Sequence, residues 1–267
     1  MKKSFPLSFE FIYQLFALII IIIFVHAIYV AIIRPNADAF LSEQAVLMEE
    51  DPSHVNQRSV FVIIRDYEQE TCFILMLWAI AIMAHKAIST SRHRALLLLD
   101  LIPLAEGVRI LPEDTHDLSR QVQALPPKQK EALLPRALLA ALQRFSSTRN
   151  IQDVSNATHT YCTSEGERLD AELSMVRYLA WAIPSIGFIG TVRGIGQALG
   201  HAHKAVTGDI FDVTLSLGVA FNSTLIALFI SIVLMFFLYQ LQLLQERYVL
   251  DTEAYCEENL TSHLHSR

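Results

Sequence analysis

Charge is the scarcest ingredient of this 267-residue chain, with Asp, Glu, Lys and Arg making up 18% of it. A water-soluble domain carries about a quarter. Cysteine is also scarce: Cys72, Cys162 and Cys256 are too far apart for a metal or redox motif, so ordinary thiols are expected. There is no HExxH or GxSxG element, which leaves no catalytic group to assign and argues against an enzyme. The 21 Lys and Arg are outnumbered by 27 Asp and Glu, for a net charge of −6, which excludes a nucleic-acid surface. No internal repeat or low-complexity tract is visible. These absences rule out a soluble enzyme, a secreted disulfide scaffold and a disordered chain.

Apolar sequence is abundant. Hydrophobic residues make up 52% of the chain and the mean hydropathy is +0.36. Residues 11–33 form an uncharged run of 23, and residues 213–245 one of 33. Each exceeds the roughly 20 residues that cross a hydrocarbon core. Two weaker stretches, 71–85 and 178–192, hold 15 uncharged residues each, and Lys86 can snorkel to let the first of them reach full length. Four spans are therefore expected, over residues 11–33, 71–89, 178–199 and 213–236. The first follows Lys2 and Lys3 but is too long for a signal peptide and shows no cleavage site, so it reads as an uncleaved anchor.

Residues 34–70 contain three basic against eight acidic side chains, whereas residues 86–177 contain twelve against eleven. By the positive-inside rule both termini are cytoplasmic and residues 34–70 are external. The expected organisation is an N-terminal pair of spans (1–90), a cytoplasmic helical insert (91–177), two pore-type spans (178–245) and a cytoplasmic tail (246–267). Within the insert, residues 92–111 and 128–145 show helical apolar spacing, broken by Pro126 and Pro127, and a third helix starting near Gln152 runs into the third span. The fold class is all-α, with helices continuing from the membrane into the cytoplasm. The 33-residue run would overshoot the bilayer by about 20 Å, and residues 246–264 read as its solvated end.

The third span places Gly187, Gly190, Gly194, Gly196 and Gly200 at three- and four-residue spacing, which lets helix backbones approach closely. Pro184 removes a helical hydrogen bond and marks a flexing point. From the flanking charges, Thr191 and the last span's Thr224 lie at depths differing by about 3 Å, so they can share one polar ring. Asn222 could extend that ring. Ser223 could extend it too, or bond back to its own turn. No span has an interior acid, so an ion path here would need its acid from another subunit. Arg193 either snorkels outward or pairs with a partner carboxylate. His26 reads most simply as a neutral imidazole bonded to a neighbouring helix. His201 and His203 have no third ligand nearby, so neither a metal nor a cofactor is expected.

The stretch Ile183 to Leu199, IPSIGFIGTVRGIGQAL, followed by LGVAFNSTLIAL from Leu217, resembles the MotA/TolQ/ExbB family of ion-channel subunits. The resemblance implies a bacterial inner-membrane, non-enzymatic subunit. It would form a homopentamer around a dimer of a single-span ExbD/TolR/MotB-like partner whose aspartate carries H⁺ or Na⁺. It also implies that Thr191 and Thr224 line the path, that Pro184 kinks the third span, and that ion-motive force becomes mechanical work. Four spans match the flagellar stator type rather than the three-span transport type. Residues 1–150 show no matching motif. From a different functional class, a non-conducting scaffold that gathers partners through its cytoplasmic helices would also fit the composition.

Overall fold

A computed structural model of the protein describes residues 9–50, 59–99, 101–102, 109–206 and 210–265, with Lys2 and Lys3 outside that set. The described residues are helical almost throughout and contain no strand, only an isolated bridge between Ile110 and Leu264. Four helical stretches are long and apolar enough to cross a membrane: Phe11–Met48, Tyr67–Leu98, Ile151–Gly200 and Phe211–His263. The protein is an all-α, multi-pass membrane protein. Its chain forms two compact units, one from residues 1–83 and 175–238, the other from 84–174 and 239–267.

In the first unit, α1 (Phe9–Ile28) passes through a π turn (Tyr29–Ile33) into α2 (Arg34–Glu50). The acidic segment expected as an external loop is therefore helical as far as Glu50, and its residues 51–58 lie outside the described set. The π turn explains how the helix survives Pro35. Arg34 donates its N–H five residues back to the Tyr29 carbonyl just before the missing donor, so one register change absorbs the gap. It also has a geometric effect. Residues eight apart on an α-helix diverge by about 80°, but one extra residue in the turn cancels most of that rotation, so His26 and Arg34 share a face. After α3 (Val60–Ile63), α4 (Tyr67–Arg94) starts four residues earlier than expected, taking Glu68 and Glu70 into its first turn. Acids there suit the positive end of the helix dipole. α9 (Ser174–Gly200), the short α10 (Ala202–Val206) and the first part of α11 (Phe211–Asn259) complete this unit.

The second unit holds the insert. Its α5 (Thr115–Gln123), α6 (Pro127–Lys130), α7 (Leu133–Thr148) and α8 (Ile151–Ala171) surround a core of Leu134, Ala137, Leu138, Ala141, Leu142 and Phe145. Asn150 caps α8 by accepting from the Gln152 N–H at 3.0 Å. The tyrosine hydroxyl of Tyr248 accepts the first N–H of α7, from Leu133, at 3.0 Å.

Two expectations fail here. Residues 92–111 do not form one helix: α4 stops at Arg94, a 3-10 turn covers Ala95–Leu98, and Ile110 sits in the isolated bridge. Leu96, Ile102 and Ile110 are each buried in the core while Leu98 is exposed, a pattern without helical period. Nor is the tail a solvated helix end. Tyr248, Thr252, Cys256 and Leu260 are buried, and Leu264 is held by the Ile110 N–H to His263 carbonyl bond at 2.9 Å.

Candidate functional site

The site is built where α9 meets α11. Gly187, Gly190 and Gly194 on α9 lie against the buried small residues Ser216, Ala220, Ser223 and Ala227 of α11, whose spacing repeats every three or four positions. A Cβ on Gly194 would stand 2.6 Å from the Ala220 nitrogen and 2.7 Å from the Ser216 carbonyl oxygen. Only a hydrogen fits there. Gly196 and Gly200 have nothing within 4 Å, so the expected five-glycine contact reduces to three within this chain.

This close approach brings the two threonines together. Thr191 and Thr224 hydroxyls are hydrogen-bonded to each other. Thr191 Oγ1 lies 3.1 Å from the Ala220 carbonyl and 3.3 Å from the Gly187 carbonyl, and Thr224 Oγ1 lies 3.1 Å from the Gly187 carbonyl. The four oxygens have only two protons among them, so lone pairs remain after every internal bond is made. Such a cluster can accept a hydrogen bond from a protonated carboxyl or coordinate a small cation.

The neighbouring candidates fall elsewhere. Ser223 is buried and its hydroxyl donates to the Val219 carbonyl at 2.8 Å, bonding back to its own turn. Asn222 lines a separate cavity of about 660 Å³ with Phe40, Leu41, Val62, Ile63 and Asp66, away from the threonine pair. Pro184 lies inside α9 without ending it. It leaves the Ala180 carbonyl without its usual donor, and the Ser231 hydroxyl fills that vacancy at 3.0 Å. Ser231 is a supporting residue that sequence reasoning missed, although the i−4 rule for proline points to a carbonyl needing a donor.

Charge enters from α4. Within this chain Arg193 has acids of its own: its Nη2 donates to Glu68 Oε2 at 2.7 Å and lies 3.7 Å from Asp66 Oδ1. The Glu68 stem also passes Gly190, where an added Cβ would meet its Cγ at 3.2 Å. The Arg193 Nε is buried without a hydrogen-bond partner. Asp66, just ahead of α4, is also drawn in. Burial pushes its carboxyl above the usual carboxylate range, and Arg65 and Arg193 pull it back. A second cluster joins α1, α2 and α4. Buried Glu70 bonds both the Arg34 guanidinium and His26 Nδ1, the latter at 2.7 Å. This is the neighbouring-helix bond expected for His26, and the π turn is what lets both groups reach one carboxylate. Among the described residues no group of His, Cys, Asp or Glu could hold a metal ion.

Against known proteins, residues 129–254 match the sequence model of the MotA/TolQ/ExbB proton channel family, a stretch that includes the whole threonine cluster. No curated protein and no solved structure matches the chain.

Proposed function

We propose, from a chain whose residues 129–254 match the model of the MotA/TolQ/ExbB proton channel family, that it is the ion-conducting A-type subunit of an inner-membrane stator. Five copies surround a dimer of a single-span partner, and the partner's aspartate carries H⁺ or Na⁺ past the Thr191–Thr224 pair. Ion flow then turns the ring against the dimer, so ion-motive force becomes mechanical work. Both termini face the cytoplasm, and the chain performs no catalysis of its own.

The observation that carries this reading is the hydroxyl pair. Two threonines 33 residues apart are brought into contact by glycines that admit nothing larger, and they retain unused lone pairs. An isolated hydroxyl cluster moves no charge alone, so a carboxylate cycling between loaded and empty states must come to it, in keeping with a partner subunit.

Replacing both residues, Thr191→Val with Thr224→Val, keeps the shape and removes the hydroxyls. In liposomes containing the complex with its partner, this double variant is expected to lose at least nine-tenths of its ion flux while the complex still co-purifies. Wild-type flux in the variant would refute the assignment. A non-conducting scaffold would show no ion flux in either protein.

A further inference from the structure

The conducting reading leaves Arg193 as a difficulty, because its guanidinium on α9, within one helical turn of Thr191 though about 200° around from it, still adds positive charge near any cation arriving at the hydroxyl pair. The sequence offered no remedy inside the spans. The structure supplies one from α4: Glu68 lies along Gly190, the residue before Thr191, and grips Arg193 Nη2 at 2.7 Å. Glu68 is 11% exposed and Arg193 34%, so the glutamate is largely withdrawn from solvent while the guanidinium is partly screened. Asp66 stands behind at 3.7 Å and is itself shared with Arg65 at 4.0 Å, so it cannot replace Glu68 alone.

We propose that Glu68 is a positioning residue of the ion path, holding Arg193 neutralised and turned along α4 so that cations can reach Thr191 and Thr224. This rests on the conducting reading above. It assigns to residues of this chain a requirement that the partner's aspartate does not meet: the partner supplies the moving charge, and Glu68 supplies the fixed one. The same geometry accounts for Gly190. Any side chain there would push against the Glu68 stem as well as Ser223, so the glycine serves the ion pair and the helix contact together.

The test uses the whole complex, purified with its partner and reconstituted into liposomes. A potassium gradient with valinomycin drives the ion, and entrapped H⁺- and Na⁺-sensitive dyes report it. Glu68→Gln retains the shape but frees the arginine charge, and its flux is expected to fall at least tenfold. Adding Arg193→Gln removes the unbalanced charge, and the double variant is expected to recover to within about threefold of wild type. Flux is read per assembled complex, because breaking a half-buried pair destabilises it and replacing both partners relieves that too. A Glu68→Gln complex that co-purifies and melts as wild type yet conducts poorly, with flux restored in the double variant, is the result that a merely structural role does not give. Wild-type flux in Glu68→Gln, or no recovery in a double variant that still assembles with its partner, overturns the proposal alone. Wild-type liposomes that pass neither ion overturn the conducting reading and the proposal with it.

Discussion

The α9–α11 contact makes its sharpest prediction at Gly194. An alanine Cβ there would meet the Ala220 nitrogen at 2.6 Å and the Ser216 carbonyl oxygen at 2.7 Å, both backbone atoms that no rotamer change can move. Restoring an ordinary 3.4 Å contact requires the helices to part by about 0.8 Å. Ala220 is also the residue whose carbonyl lies 3.1 Å from Thr191 Oγ1. Parting the helices by that amount stretches this contact to about 3.9 Å, beyond any hydrogen bond. Overpacking of this kind costs about 1–3 kcal/mol, and the lost bond adds about 1 kcal/mol. At about 2–4 °C per kcal/mol, Gly194→Ala should melt several degrees below wild type in a thermal unfolding assay. Gly196→Ala is the internal control. It meets nothing within 4 Å and gains up to about 1 kcal/mol of helix propensity, so it should melt at or above wild type. If the two variants melt together, the close approach is not what holds this site, and the reasoning from Gly194 to the hydroxyl pair fails.

Two further predictions test supporting contacts. Ser231→Ala strips the donor from the Ala180 carbonyl at a cost of about 1–3 kcal/mol. In a Pro184→Ala background the restored residue-184 N–H makes Ser231 dispensable, so a double-mutant cycle should show at least about 1 kcal/mol of coupling, and simple additivity would contradict the assignment. Tyr248→Phe leaves the buried Leu133 N–H unpaired, and hydrogen exchange at that amide should accelerate while exchange at Thr191 stays at its wild-type rate. Unchanged exchange at Leu133 would show that the bond carries no stability.

What was legible in the sequence is what depends on local period and composition. Four spans followed from apolar runs, the α7 core residues from their helical spacing, and the shared depth of Thr191 and Thr224 from distances counted along two helices. What stayed hidden depends on register between helices far apart in sequence. Glu68 and Arg193 are 125 positions apart, and no pattern fixes the rotation of α4 against α9. Asn222 shows a related effect within this chain. Two residues from Thr224 is about 200° around a helix, so a neighbour in sequence faces the opposite side. The tail's burial did leave a signal, since Tyr248, Thr252, Cys256 and Leu260 recur every fourth residue. Their mixed polarity disguised a stripe that an all-apolar set would have revealed.

The early start of α4 ties these hidden features together. A helix beginning at Thr71, as composition suggested, would leave Glu68 and Glu70 in a loop, where nothing fixes their direction. Starting at Tyr67 places both acids in the first helical turn, two residues apart, so they diverge by about 200° and address different neighbours. Glu68 turns to Arg193 of α9, and Glu70 turns to His26 of α1 and Arg34 of α2. Each basic group is costly at the edge of an apolar region unless it is paired. A single turn of α4 satisfies both. The expectation that the spans contain no acid was true of their apolar stretches. The ion pairs that the spans require are made one turn outside them, at a helix start that hydropathy alone does not mark.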